Sequence, residues 1–215
     1  MTIHAQALLF DNDGTLVSSL DSVERCWTRW AAEYGVTEEY ARVELHGRTA
    51  VDIVADLLPA HLVPEGVARV EQLEVEDVPN GGVRLLPGTR ALLDALPAER
   101  WAVVTSATRR LAEARLEAVG IRPKTLIAAD DVTRGKPDPE PYLLAARRLG
   151  VDPARCVVFE DAPAGLRAGR AAGMTTVALA TTHAAHELDA DLVVPDLSAL
   201  SALATDHFVE ISERR

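Results

Sequence analysis

Leu9-Phe10-Asp11-Asn12-Asp13-Gly14-Thr15-Leu16 places two carboxylates two positions apart where a short apolar run gives way to a turn. The preceding Ala7-Leu8-Leu9-Phe10 is continuously apolar, the pattern of a strand buried on both faces of a parallel sheet, and Gly14 lets the chain turn away at once. Asp11 and Asp13 therefore fall at the strand's C-terminal end. In open α/β sheets ligands bind beyond that end, so the pair is placed for chemistry rather than packing. Such pairs are also ordinary turn formers, and the rest of the chain has to decide between the two readings.

Three later segments decide it. Val103-Val104-Thr105-Ser106 is a second apolar strand ending in hydroxyls, and Val157-Val158-Phe159-Glu160-Asp161 is a third ending in two acids. Between them, Arg134-Gly135-Lys136-Pro137-Asp138-Pro139 holds a lysine in a turn-rich stretch ahead of the helical pattern from Pro141 to Ala146. Taken singly, Thr105 and Ser106 read as strand-end turn residues, Lys136 as a solvated lysine, and Asp161 ahead of Pro163 as a helix start. Acid pair, hydroxyl, lysine and acid pair in that order are far harder to obtain by coincidence.

From residue 88 onward, helical and strand patterns alternate. The spacing predicts helices over 88–96, 108–118, 139–149 and 163–172, and strands over 101–105, 125–129, 156–160, 175–180 and 191–194. That alternation predicts an α/β fold with a doubly wound, parallel, Rossmann-like sheet. Residues 18–80 interrupt it with helical periodicity: Leu20, Val23, Trp27, Trp30, Ala31 and Tyr34 form one stripe, and Val51, Val54, Ala55 and Leu58 another. The expected organisation is a core of 1–17 plus 81–215 and a helical insertion over 18–80, with Trp27 and Trp30 in the insertion's own core.

Composition narrows the function. With 48% apolar residues, a chain of 215 can bury one good core plus a small accessory unit. The net charge is −11 and no basic run occurs, so neither nucleic acid nor an anionic membrane is an expected partner. No apolar stretch is long enough to span a bilayer and no secretory leader pattern is found, which points to the cytoplasm. Cys26 and Cys156 lack metal-ligand spacing and read as core residues.

The four ordered motifs resemble those of the haloacid dehalogenase superfamily over nearly the whole chain, and 18–80 matches the position and length of the all-α cap in its β-phosphoglucomutase-like branch. Arg100 to Ser106, Gly135 to Tyr142, Phe159 to Gly165 and the loop His46-Gly47-Arg48-Thr49 are similar to sugar and polyol phosphatases of the 2-deoxyglucose-6-phosphatase and glycerol-3-phosphatase type. The resemblance implies a Mg2+-dependent phosphatase acting on a small sugar or polyol phosphate. Asp11 would be the nucleophile that forms an aspartyl phosphate, and Asp13 the acid/base. The metal would take Asp11, the backbone carbonyl of Asp13, and Asp161, with Glu160 beside them. Thr105, Ser106, Ala107 and Lys136 would hold the phosphate, with a cis peptide between Lys136 and Pro137, and His46, Gly47 and Arg48 would read the leaving group.

The chemistry accounts for these residue types. A phosphate monoester is dianionic, so a carboxylate can approach phosphorus only where cationic and hydrogen-bond donors relieve the repulsion. Magnesium prefers hard oxygen ligands. An acid two residues after the nucleophile can protonate the departing alkoxide and later deprotonate the attacking water; the superfamily's dehalogenases lack it. Asn12 departs from the apolar residue usual between the two acids. Two other readings are a sugar-phosphate mutase and a non-catalytic, receiver-like phosphate-binding domain. A mutase would carry a histidine and an arginine where Val23 and Ala50 stand. The expected partner is a small phosphate ester, and the chain is expected as a monomer or homodimer.

Overall fold

The computed structural model describes residues 2–43 and 48–214. Strands β1 (Thr2–Ala5), β2 (Ala7–Phe10) and β3 (Val17–Ser18) are followed by helices α1 (Leu20–Tyr34), α2 (Thr37–Tyr40), α3 (Ala50–Leu57) and α4 (Val63–Asp77). Then come β4 (Arg84–Leu85), α5 (Thr89–Asp94), β5 (Trp101–Val104), α6 (Arg109–Ala118), β6 (Leu126–Ile127) and α7 (Glu140–Leu149). The chain continues through β7 (Cys156–Glu160), α8 (Pro163–Ala171), β8 (Thr175–Leu179), β9 (Leu192–Val194), β10 (Leu200–Ala204) and β11 (Val209–Glu213).

The central sheet has the order β6-β5-β2-β7-β8-β9 with every pairing parallel, which is the expected doubly wound sheet. Its inner strands are buried on both faces, and the period of two divides them cleanly. Leu8, Phe10, Val103, Val157, Phe159 and Val177 pack with Leu92 and Leu93 of α5 and Leu116 of α6. Ala7, Leu9, Ala102, Val104 and Val158 pack on the other side with Tyr142 and Ala146 of α7 and Ala168 of α8. Phe10 and Phe159 stack at 4.7 Å between centroids on adjacent strands. A sheet held this tightly fixes the positions of the residues that leave its C-terminal edge.

A second sheet, β1-β11-β10, is antiparallel and joins the first strand to the last, Ile3 facing Ile211. The helical insertion leaves and re-enters through the short antiparallel pair β3 and β4, with Val17 opposite Leu85 and Ser18 opposite Arg84. It has its own core, in which Trp27, Trp30, Ile53, Val54, Val70 and Leu73 are buried and the Trp30 indole donates to the Gly66 carbonyl at 2.8 Å. Cys26 and Cys156 are buried free thiols, burial pushing each up to about 11. Among the described residues, no helix is long and apolar enough to cross a membrane.

Candidate active site

Strands β2, β5 and β7 lie side by side, and the residues that follow them meet beyond their C-terminal ends. Asp11 follows β2 with its amide donating to the Phe159 carbonyl at 2.9 Å, which fixes its backbone to the neighbouring strand. Lys136, almost fully buried, donates to Asp11 Oδ1 at 2.6 Å, to Glu160 Oε1 at 2.6 Å and to the Val104 carbonyl at 2.8 Å. Its peptide bond to Pro137 is cis. Burial works against the Lys136 ammonium, but Asp11 and Glu160 outweigh it and hold its pKa above the ordinary lysine value. The Tyr142 hydroxyl also donates to Glu160 Oε1, at 2.7 Å, and the Lys136 ammonium sits 5.2 Å from the centroid of the same ring.

Two glycines make room for these acids. Gly14 has φ +89°, and a Cβ there would overlap the Asp161 carboxylate. At Gly165, in the first turn of α8, a Cβ would overlap the carboxylate of Glu160. Asp161 accepts from Thr182 and, at 3.4 Å, from Thr15. Burial and the charge of Glu160 push Asp161 up to about 7, and burial with Glu160 likewise pushes Asp11 well up despite Lys136. Carboxylate oxygens of Asp11, Glu160 and Asp161 lie within 4.8 Å of one another. Lys136 answers only two of the three, and Asp161 has no cationic partner among the described residues. An all-oxygen, buried and under-neutralised donor set suits a hard divalent cation.

Asp13 is not one of these three acids and has partners of its own. Its carboxylate accepts from Ser19 Oγ at 2.6 Å and from Asn12 Nδ2 at 3.2 Å, and pairs with Arg115 Nη1 at 3.1 Å. The Asn12 amide thus has a partner, and it is the second acid of the pair. Ser19 precedes α1 without capping it, its hydroxyl being turned to Asp13. Arg115, on α6, donates with Nη2 to Glu74 Oε1 of α4 at 2.8 Å. Both side chains are buried, so Asp13, Arg115 and Glu74 form one ion-pair chain from the sheet edge into the helical insertion.

The remaining expected positions surround a cavity of about 130 Å³ between sheet and insertion. Asp11, Asp13, Thr105, Ser106 and Ala107 line its lower side, and Arg48 lies on the insertion side. Thr105 Oγ1 accepts from the Ala107 amide at 3.1 Å, so this turn is closed on itself. Arg48 pairs with Asp56 at 2.7 Å, and Thr49, the N-cap of α3, packs close to Gly135 in the lysine loop. His46 and Gly47 lie outside the described residues.

Arg115, Glu74, Ser19, Tyr142 and Thr182 were not among the residues expected at the site. The first two carried a signal: Arg115 falls on the apolar face of α6 with Leu111, Ala112 and Leu116, and Glu74 on that of α4 with Val70 and Leu73. A charge inside an apolar stripe, on each of two helices and of opposite sign, points to a buried pair.

The chain matches the family model of haloacid dehalogenase-like hydrolases over residues 5–173. It is 39% identical over 181 residues to hexitol phosphatase A of Escherichia coli (strain K12), covering 82% of this chain and 84% of that protein. It is also 39% identical over 199 residues to glycerol-1-phosphate phosphohydrolase 2 of Saccharomyces cerevisiae, covering 85% and 77%. Among solved structures, CbbY from Rhodobacter sphaeroides in complex with phosphate superimposes with a TM-score of 0.77 at 27% identity, over 90% of this chain and 95% of that one.

Proposed function

This chain belongs to the haloacid dehalogenase-like hydrolases and is a phosphoric monoester hydrolase of that family, and from this we propose that it cleaves a small sugar or polyol phosphate through a phosphoaspartate on Asp11. The observation that carries the proposal is the convergence of Asp11, Lys136, Glu160 and Asp161 at one sheet edge, with Asp13 beside them under the helical insertion. We take the catalytic unit to be 1–17 plus 81–215, and 18–80 to be its cap domain.

In this reading Lys136 holds one oxygen of Asp11 and leaves the other to attack phosphorus as the bond to the leaving oxygen breaks. Asp13 delivers a proton to that oxygen, then takes one from the water that attacks phosphorus, releasing phosphate and restoring Asp11. Thr105, Ser106, the Ala107 amide and Lys136 supply donors to the phosphoryl oxygens. Asp11, Asp161 and the Asp13 backbone carbonyl, with Glu160 adjoining, would hold Mg2+, which when bound withdraws charge from the phosphoryl group. Val23 and Ala50 give the cavity apolar surface where a mutase would hold a second phosphate, which favours hydrolysis over transfer.

The test separates the two acids. Asp11→Asn should abolish turnover of every substrate. Asp13→Asn should stall on polyol phosphates but release about one equivalent of phenolate from an activated aryl ester before slowing, because that leaving group needs no proton. Acid-quenched Asp13→Asn enzyme should carry phosphate on Asp11. Wild-type rates in Asp13→Asn, or label on another residue, would refute the assignment.

A further inference from the structure

The face of α4 that turns to the cavity presents Val67, Glu71 and Glu74, spaced at i, i+4 and i+7. The two acids differ in what answers them. Glu74 is buried against Arg115, whereas Glu71 is half-buried and has no ion pair or hydrogen bond among the described residues. The two arginines on the cavity wall are both already engaged, Arg48 by Asp56 and Arg115 by Asp13 and Glu74. On the side away from Asp11, the cavity therefore offers a free carboxylate and no free cation among the described lining residues. The neighbouring wall is apolar, with Val23, Trp27, Ile53 and Val67.

We propose that Glu71 is a specificity-determining residue that accepts hydrogen bonds from hydroxyls of the leaving group and rejects leaving groups carrying a second anion. The inference rests on the phosphatase reading and narrows its substrate class to monophosphates whose remaining part is uncharged and hydroxylated. An ionised carboxylate is acceptor-only, so it binds the O–H groups of a polyol but can offer nothing to a carboxylate or a second phosphate. Rejection comes from like charge at close range, the repulsive half of selectivity. Acceptance is the attractive half: an aliphatic leaving group without hydroxyls would leave Glu71 desolvated and unpaired.

The experiment uses substrate pairs that differ only in one terminal group: sorbitol 6-phosphate with 6-phosphogluconate, and glycerol 1-phosphate with 3-phosphoglycerate. In the wild-type protein, kcat/KM should favour the polyol member of each pair by about thirtyfold or more, on the scale of discrimination available to a site with one repelling and one hydrogen-bonding role. Glu71→Gln, which keeps the size and removes the charge, should shrink that ratio about tenfold or more, chiefly by lowering KM for the carboxylate member. A merely structural role would lower both members together and leave the ratio where it was. An unchanged ratio in Glu71→Gln, or a wild-type protein that takes both members equally, overturns the proposal. Release of phosphate from neither member of any pair, nor from an aryl phosphate, would instead overturn the phosphatase reading beneath it.

Discussion

The buried pair between Arg115 and Glu74 should be a strong coupling between sheet domain and helical insertion. Arg115→Met removes the guanidinium and leaves Glu74, only 5% exposed and already pushed up by burial, without its cation. Stranding one partner of a buried ion pair costs about 3–5 kcal/mol. Glu74→Leu is milder, because Arg115 keeps Asp13 at 3.1 Å, and should cost about 1–3 kcal/mol. In the double variant two apolar side chains replace the pair, and such replacements are often close to neutral, with the loss of the Arg115 contact to Asp13 remaining as a cost. The double variant should therefore be more stable than Arg115→Met alone, with a coupling above about 2 kcal/mol. Urea unfolding is the assay, followed by circular dichroism and by tryptophan fluorescence. Trp27 and Trp30 report the insertion and Trp101 the sheet, so coincident curves would also show that the two regions unfold together. Single-variant losses that add to within about 0.5 kcal/mol would refute the coupling.

Lys136→Met keeps much of the stem but leaves Asp11 and Glu160 facing each other, and transition-state stabilisation should fall by about 2–4 kcal/mol, read as kcat/KM on any ester; an active Met variant would show that the ammonium is dispensable. Removing divalent cations with excess chelator should abolish phosphate release, magnesium should restore it, and calcium, with its larger and looser coordination, should inhibit; full turnover in chelator would refute metal dependence. Arg48→Ala should impair hydrolysis of sugar and polyol phosphates more than that of a small activated ester, because Arg48 lines the insertion side of the cavity; equal loss on both would place it outside the specificity loop.

Where the local pattern and the global structure agree, the elements follow the expected spans closely. The strand expected over 156–160 is β7 (Cys156–Glu160), and the helix expected over 139–149 is α7 (Glu140–Leu149). β7 has partners on both sides and is apolar almost throughout, whereas α7 buries one face, with Tyr142, Ala145 and Ala146 at helical spacing, so the composition of each reflects its burial. The sheet β1-β11-β10 had no such signal. Its strands are short and half-exposed, and Thr2–Ala5 alternates over only four residues before pairing with a segment about two hundred positions away. At the site, the residue types at 11, 105, 136, 160 and 161 speak through their order along the chain. The contacts of Asp13 do not: the charges of Arg115 and Glu74 inside apolar stripes hint at a buried pair, but nothing in the order of residues 41 positions apart joins that pair to Asp13. The polar residue at 12 has its reason in the fold, where its amide donates to Asp13 at 3.2 Å.

The two-residue pairing of β3 with β4 has an evolutionary consequence. Because Val17 and Leu85 face each other, the segment between them begins and ends at nearly one point, and its length and sequence can change without altering strand order in the main sheet. On the proposed reading, substrate choice could thus be inherited as a replaceable module while the chemistry stays in place. Arg115 limits that freedom: it is rooted in α6 yet completes its pairing on α4, so a transplanted module that brings no acid to the place of Glu74 leaves a buried guanidinium half-answered next to Asp13. A compatible module would therefore have to bring that carboxylate as well as the residues that meet substrate.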